Sequence, residues 1–132
     1  MLLRKLPWEL TVCKAASLED IRLDADFFFI GRTEEELSLV CRTSDVPART
    51  TEREDGWRGF RVEGPLPFSM VGVLAGLSGV LAENGISIFT LSTYQTDYLL
   101  VKEADFDRAA AALAGAGYGI APAEDCPEGR CE

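Results

Sequence analysis

The sequence of 132 residues contains no histidine. Histidine is the usual general acid or base near neutral pH and a frequent metal ligand. A zinc site without histidine would need cysteines at close spacings, but the four cysteines are Cys13, Cys41, Cys126 and Cys131. The sequence therefore predicts no metal site and no cofactor.

Motifs of common enzyme classes are also missing. The chain has no Gly-Xaa-Ser-Xaa-Gly motif and no glycine-rich phosphate loop ending in Lys-Ser or Lys-Thr. A catalytic cysteine would lack an imidazole to activate it, although other bases exist. The glutamate run at 34–36 is typical of a solvated turn. We predict that the protein is not an enzyme and has no catalytic residue.

Basic residues are scarce, with 13 Lys and Arg against 22 Asp and Glu and a net charge of −9. This balance opposes nucleic-acid binding, which depends on contacts from Lys and Arg to phosphates. No apolar run approaches a membrane span, and the N-terminus lacks the apolar stretch of a signal peptide. We expect a soluble cytoplasmic protein that binds neither nucleic acid nor membrane.

The cysteines fall into two groups. Cys13 and Cys41 lie in apolar, strand-like segments, which is typical of buried thiols. Cys126 and Cys131 lie in an acidic tail, 123–132, which has too few apolar side chains to offset the entropy of ordering. These two thiols are either idle or joined in a tail disulfide, and we expect the tail to be mobile and dispensable.

Apolar periodicity in the second half predicts an α+β fold of the ferredoxin-like type. Alternation indicates strands, and apolar side chains three and four residues apart indicate helices. The predicted order is β-α-β-β-α-β. Its elements are a strand at 59–63, a helix at 69–83 stopped by Asn84-Gly85, strands at 86–93 and 96–102, a helix at 105–114 and a strand at 118–121.

The first half reads as a shorter, degenerate copy of the second. Strands are predicted at 8–13, 27–32 and 37–42, with only a helical turn at 17–21 and a helix start at 45–48. An offset of 60 residues aligns Phe29 with Phe89 and Asp45 with Asp105 without a gap, as expected for a duplicated unit. Two unrelated hairpins of similar composition are the alternative. The predicted organisation is an N-terminal module with a polar linker (1–56, linker 49–56), a second module (57–122) and the acidic tail.

Residues 59–121 resemble an ACT domain. The segments Glu63–Ser69 and Ser92–Tyr98 are similar to one branch, the small bacterial tandem-ACT proteins, whose modules resemble those of the CASTOR-type arginine sensors. Aspartokinase regulatory domains are more distant relatives. The resemblance implies that a free amino acid or similar small molecule binds at an interface between ACT modules. Any protein that it regulates would be a separate chain.

Two segments are candidates for this ligand site. The first turn of the predicted helix offers free N–H groups to a carboxylate, and the residues concerned are Pro67, Phe68, Ser69, Met70, Val71 and Gly72. Plain N-capping by Ser69 is the alternative. The resemblance implies that Thr96 and Asp97 contact the ligand, with the Asp97 carboxylate receiving its ammonium group. A solvated hairpin aspartate is the alternative.

Two further patterns point to packing surfaces. Gly72, Gly76 and Gly79 form a stripe of small residues that either accepts a second helix or reflects tolerated drift. Alternation along 27–29 places large aromatic side chains on both faces of a strand, which predicts a contact surface and a homodimer. The predicted function is a non-catalytic amino-acid sensor or regulator. The alternative is a protein interaction module without a small ligand.

Overall fold

The computed structural model describes residues 1–63 and 71–123, which fold as two compact units. The N-terminal unit is Trp8–Trp57. The C-terminal unit combines Met1–Pro7 with the chain from Arg58 onward. Predictions for Pro67, Phe68, Ser69 and Met70, and for the tail with Cys126 and Cys131, concern residues outside the described ranges. No helix in these ranges is long and apolar enough to cross a membrane.

Eight strands, two α-helices and three short 3-10 helices make up the described chain. In chain order the strands and α-helices are β1 (Leu2–Lys5), β2 (Leu10–Ala15), β3 (Phe28–Arg32), β4 (Leu37–Arg42), β5 (Thr50–Val62), α1 (Val73–Glu83), β6 (Ile88–Ser92), β7 (Asp97–Lys102), α2 (Phe106–Gly115) and β8 (Gly119–Ala121). The 3-10 helices are Leu18–Asp20, Thr43–Asp45 and Glu103–Asp105.

The C-terminal unit has the predicted β-α-β-β-α-β order, formed by β5, α1, β6, β7, α2 and β8. Its strands lie in the order β6-β7-β5-β1-β8. The sequence analysis missed β1, which is antiparallel to β5 and parallel to β8, with Leu3 opposite both Val62 and Ile120. Four residues are too few to show alternation, and both partner strands are distant in the sequence.

Helices α1 and α2 pack their apolar residues against the strands of this unit. In α2 the buried side chains recur at helical spacing, and in α1 Leu77 and Leu81 are four residues apart and fully buried. Burial of each large side chain contributes about 1.5–3 kcal/mol. The buried core residues of this unit are Leu3, Phe60, Val62, Leu77, Leu81, Ile86, Leu99, Val101, Phe106, Ala109, Ala110 and Leu113.

Helix α1 begins four residues later than predicted, at Val73. Its N-cap residue is Gly72, which has a left-handed φ of 79° and no side-chain cap. A left-handed residue interrupts a right-handed helix and is accessible to glycine at little cost. The predicted stop is confirmed, because Gly85 has a φ of 69°.

Among residues 1–63 and 71–123, no helix packs on the predicted glycine stripe. Gly72 precedes α1, and a Cβ atom at Gly79 would meet nothing within 4 Å. At Gly76 a Cβ atom would lie 2.8 Å from the Tyr118 hydroxyl. The close neighbour of the helix at this position is therefore an aromatic side chain from the segment before β8.

The N-terminal unit repeats the strand order of the C-terminal unit without α-helices. Its strands lie in the order β3-β4-β2-β5, and 3-10 helices follow β2 and β4. The predicted linker at 49–56 is wrong, because Thr50 begins β5, which pairs with β2 from Leu10↔Trp57 to Ala15↔Thr50. Backbone hydrogen bonds form the ladder whatever the side chains are, so five exposed polar residues, 51–55, still form a strand.

Ion pairs accompany this polar part of β5. Lys14 Nζ lies 2.9 Å from Glu52 Oε2, and Arg53 Nε donates to Asp55 Oδ1 at 2.8 Å. The Arg53 guanidinium, followed by the Thr11 hydroxyl, holds the pKa of Asp55 below its usual value. The polar residues that led the sequence analysis to predict a linker therefore form ion pairs, one across strands between Lys14 and Glu52 and one within β5 between Arg53 and Asp55.

The two hairpins β3-β4 and β6-β7 correspond residue by residue at an offset of 60. Phe28 is opposite Cys41, and Ile88 is opposite Val101. At the turns, Thr33 N–H donates to the Glu36 carbonyl and Thr93 N–H donates to the Thr96 carbonyl, each at 2.9 Å. The 3-10 helices after the hairpins, Thr43–Asp45 and Glu103–Asp105, show the same offset.

The aromatic run at 27–29 is half-buried within the N-terminal unit. Phe28 packs on a core cluster with Cys13, Ile21, Leu39 and Cys41. On the other side the Phe27 ring contacts Trp8 and Phe29, with centroid distances of 5.1 and 5.4 Å. Intramolecular contacts thus cover part of the surface that the sequence analysis assigned to a dimer.

The N-terminal unit contains a buried carboxylate, that of Asp45, directly after β4. The Asp45 side chain is 4% exposed, and it accepts hydrogen bonds from Arg42 Nε and Arg22 Nη1, both at 3.0 Å. The Arg42 guanidinium also lies over the Trp8 ring at 5.6 Å. Because Arg42 is itself nearly buried, loss of Asp45 would leave its positive charge without this partner.

We predict that Asp45→Ala lowers the free energy of unfolding by about 3 kcal/mol, because removal of one partner from a buried ion pair costs on the order of 3–5 kcal/mol. The matched control is Asp24→Ala, since Asp24 contacts the same Arg22 but is 80% exposed. The control should lose less than about 1 kcal/mol. Urea denaturation measures both, and equal losses in the two variants would contradict the prediction.

Candidate functional site

Thr96 connects the β6-β7 turn to the end of β5. Its side chain is buried, and its hydroxyl donates a hydrogen bond of 2.7 Å to the carbonyl of Val62, the last residue of β5. The Thr96 N–H donates to Thr93 Oγ1 at 3.3 Å, which completes the turn. The end of β5 and the β6-β7 turn therefore lie at the same end of the sheet.

Asp97 is the first residue of β7 and faces Ser92, the last residue of β6. The Ser92 hydroxyl donates a hydrogen bond of 2.7 Å to Asp97 Oδ1. Asp97 is partly exposed, so its carboxylate does not need the permanent cation that a fully buried one would require. Oδ1 is held by Ser92, and the second carboxylate oxygen remains available to a hydrogen-bond donor.

Val71 and Gly72 stand immediately before α1, and Val71 is 89% exposed. The first N–H groups of an α-helix have no partner within the helix, and the helix dipole favours an anion there. The first turn of α1 contains no acidic residue that would compete for this position. This helix end can therefore accept a carboxylate.

Four of the predicted site residues lie in the described part of the C-terminal unit, Val71 and Gly72 before α1 and Thr96 and Asp97 at the β6-β7 turn. Val71 and Gly72 follow β5 along the chain, and Thr96 holds the β6-β7 turn at the end of β5. Asp97 comes directly after Thr96. The sequence analysis missed Ser92, although its position opposite Asp97 follows from the hairpin register once the turn is placed.

The structure also shows a cleft of about 630 Å³ within the N-terminal unit, which the sequence analysis did not predict. The end of β2 with the following 3-10 helix forms one wall, and the β3-β4 turn forms another. The 60-residue offset relates this turn, 32–37, to the turn 92–97. That offset was the signal in the sequence that could have indicated the cleft.

Cys13 and Cys41 offer no reactive thiolate to the region around Asp97 or to the cleft of the N-terminal unit. Cys13 and Cys41 are buried free thiols. Burial raises the pKa of Cys13 and raises that of Cys41 to about 12, so the reactive thiolate is suppressed at neutral pH. Within residues 1–63 and 71–123, no group of three or more Cys, Asp and Glu side chains is arranged to hold a metal ion.

Comparison with known proteins identifies one domain family. Residues 52–115 match the ACT domain family. A comparison with curated protein sequences gives no match. The matched segment begins in the polar part of β5 and ends with α2, so it contains α1, the β6-β7 hairpin and the residues Val71, Gly72, Thr96 and Asp97.

Solved structures extend the comparison to nearly the whole chain. Protein Atu0741 from Agobacterium tumefaciens is 30% identical, with a TM-score of 0.81 over 96% of both chains. VC0802 from Vibrio cholerae, described as a protein of unknown function and possible transport protein, is 21% identical, with a TM-score of 0.66 over 84% of this chain and 85% of that one. The allosteric aspartate kinase of Clostridium acetobutylicum is 13% identical, with a TM-score of 0.60 over 86% of this chain and 33% of the kinase. The last two similarities show the fold alone.

We predict that Thr96→Val lowers the free energy of unfolding by about 1–2 kcal/mol. Valine has a similar shape but leaves the Val62 carbonyl without the donated hydrogen bond. The control is Thr90→Val, because Thr90 is exposed on β6 and its substitution should change stability by less than about 0.5 kcal/mol. Thermal unfolding of both variants measures the difference, and a Thr96→Val protein as stable as the parent would refute the structural role.

Proposed function

This chain belongs to the same protein family as Atu0741 from Agobacterium tumefaciens and contains an ACT domain, and from this premise we propose that it is a non-catalytic sensor or regulator that binds an amino acid. ACT domains in general are regulatory modules for small ligands. The aspartate kinase with a similar fold is described as an allosteric enzyme. Cytoplasmic location and a regulated partner protein stay predictions.

The observation that carries the proposal is the hydrogen bond from the Thr96 hydroxyl to the Val62 carbonyl. It holds the turn that bears Asp97 at the end of β5, from which the chain leads to the start of α1. A free amino acid carries a carboxylate and an ammonium group. In the proposed site the N–H groups after Gly72 receive the carboxylate, and Asp97 receives the ammonium group.

We further propose that the chain contains two ACT modules in tandem, the first of them degenerate. The equal offset of the hairpins, their turns and the following 3-10 helices supports a duplication. In the N-terminal unit the 3-10 helix Leu18–Asp20 follows β2, as α1 follows β5, and the 3-10 helix Thr43–Asp45 corresponds to Glu103–Asp105 but is not followed by an α-helix such as α2. The resemblance to CASTOR-type arginine sensors supports an amino-acid ligand for such a tandem protein.

We predict that Asp97→Ala weakens binding of the responding amino acid about 10- to 150-fold, because a charge-assisted hydrogen bond contributes about 1.5–3 kcal/mol. The ligand is first found by a thermal-shift screen of the twenty common L-amino acids at millimolar concentration. A ligand at 100 times its Kd adds about 2.7 kcal/mol to stability. Calorimetric titration then compares the variant with the parent protein.

The control variant is Glu83→Gln, because Glu83 is an exposed acid at the end of α1, away from the proposed contacts. It should bind like the parent protein. Equal affinity of Asp97→Ala and the parent would show that Asp97 is not a ligand contact. No stabilisation by any amino acid would refute the sensor proposal and favour an interaction module, for which the exposed Val71 and Tyr94 offer apolar contacts.

We also propose a homodimer, since ACT domains often dimerise and the edge strands β3 and β6 present half-buried apolar residues. The expected result of sedimentation equilibrium at micromolar concentration is about twice the chain mass of 14.4 kDa. A mass near that of one chain would refute the dimer. In that case the contacts of Phe27 and Phe29 with each other and with Trp8 would be the main cover of that face.

A further inference from the structure

Two cations of the C-terminal unit share one aromatic ring at the start of α2. The Arg58 guanidinium lies over the Phe106 ring at 4.5 Å from its centre, and Lys5 Nζ lies 5.6 Å from the same centre. Lys5 is the last residue of β1 and is opposite Phe60 of β5, whose ring stacks on that of Phe106 with the centroids 4.9 Å apart. The fold therefore holds two positive charges beside one ring.

The described residues do not supply a counter-charge for this pair. No ion pair joins Lys5 or Arg58 to a carboxylate in the described part of the chain, although Asp and Glu outnumber Lys and Arg by 22 to 13. Most of the described arginines do form an ion pair. Two like charges near one ring repel each other, and the ring offsets each charge only in part. An anion bound to both cations would relieve this repulsion.

The guanidinium of Arg58 provides a second observation. Its Nε is buried and has no hydrogen-bond partner among the described residues. Its Nη2 donates one long hydrogen bond, to the Leu6 carbonyl at 3.4 Å. Buried polar groups nearly always have a partner, so one without a partner indicates a bound water or ion. An arginine has five N–H donors in a planar fork that matches two oxygens of one oxyanion, and most of this capacity is unused in Arg58.

These cations lie far from the site proposed around Asp97. Strand β7 begins at Asp97 and ends at Lys102, and α2 begins with Phe106 after the 3-10 helix Glu103–Asp105. The ring of Phe106 is therefore about a strand length, roughly 17–20 Å, from Asp97. Lys5 and Arg58 are partly exposed, so a small ion in solution can reach them. An anion bound here would not occupy the amino-acid site.

We propose that Lys5 and Arg58 form an oxyanion site, which binds the phosphate group of a small phosphate monoester. Such a group carries a charge of about −1.5 to −2 at about pH 7, so it neutralises both cations, whereas a carboxylate neutralises only one. Two of its oxygens match the guanidinium fork, and a third can accept a hydrogen bond from the ammonium group. Free phosphate offers the same chemistry. This site goes beyond the proposed function and does not depend on it.

The test is an NMR titration of the full chain, in which the amide signals report both affinity and place. The probes are glycerol 3-phosphate, inorganic phosphate and acetate, each at low ionic strength. Glycerol 3-phosphate should shift the amide signals of Lys5, Arg58 and Phe106. Acetate should bind at least about tenfold more weakly, because it loses one charge-assisted contact. Inorganic phosphate as tight as the ester supports a site for the free ion, and weaker inorganic phosphate supports recognition of the ester.

Charge-removing variants then assign the contacts. Lys5→Gln and Arg58→Gln should each weaken glycerol 3-phosphate about tenfold. Arg58→Lys keeps the charge but loses the fork, so it should weaken binding less than Arg58→Gln. The matched controls are Lys14→Gln and Arg49→Gln, which remove the same charge where a carboxylate partner is present and should leave the affinity unchanged. The dispersion of the amide signals shows whether each variant is folded, and Lys5→Gln decides the outcome if Arg58→Gln unfolds.

Four results would overturn the proposal. Acetate could bind as tightly as the phosphates, both glutamine variants could bind like the parent protein, or the shifts could lie around Asp97 instead. Lastly, if neutralising Glu124 and Asp125, which lie outside the described ranges, shifted the signals of Lys5 and Arg58 without added phosphate, the acidic tail would be the occupant. Asp97→Ala should leave phosphate binding unchanged, so failure of the oxyanion site and failure of the amino-acid site are separate results.

Discussion

Backbone pairing along β5 is the constraint on which both units depend. The strand runs over 13 residues, Thr50–Val62, and pairs with β2 in the N-terminal unit and with β1 and β7 in the C-terminal unit. Its first part is polar and its last part is apolar and buried. The ladder is formed by peptide groups, which need partners wherever water is excluded, so the strand continues through a segment whose side chains contribute little burial.

The end of β5 fixes the position of the β6-β7 turn in the C-terminal unit. The Val62 carbonyl accepts its hydrogen bond from a side chain, Thr96, and this contact holds the β6-β7 turn in place. Ser92 then holds one oxygen of Asp97. The Thr96 and Ser92 hydroxyls thus position one carboxylate, that of Asp97, at the β6-β7 turn.

The two units have a similar strand order but differ in the helices that accompany the strands. In the C-terminal unit two α-helices bury a large apolar cluster, and Gly76 allows the Tyr118 hydroxyl to approach α1 closely. In the N-terminal unit the described helices are 3-10 turns, and one core cluster contains Cys13, Ile21, Leu39 and Cys41. Charged side chains line the cleft beside the β3-β4 turn.

The spacing of apolar residues along the sequence was enough to predict the elements in which those residues recur with a clear period. It predicted the β-α-β-β-α-β order, the stop of α1 at Gly85 and the 60-residue correspondence of the hairpins, because these depend on neighbouring residues. Tertiary structure decided the rest. β1 and the polar part of β5 are strands only because distant strands supply their hydrogen-bond partners, and α1 begins at Val73 because Gly72 adopts a left-handed conformation. The contact of Ser92 with Asp97 and the cleft around Arg32 likewise arise from pairing across strands, which periodicity along one segment does not contain.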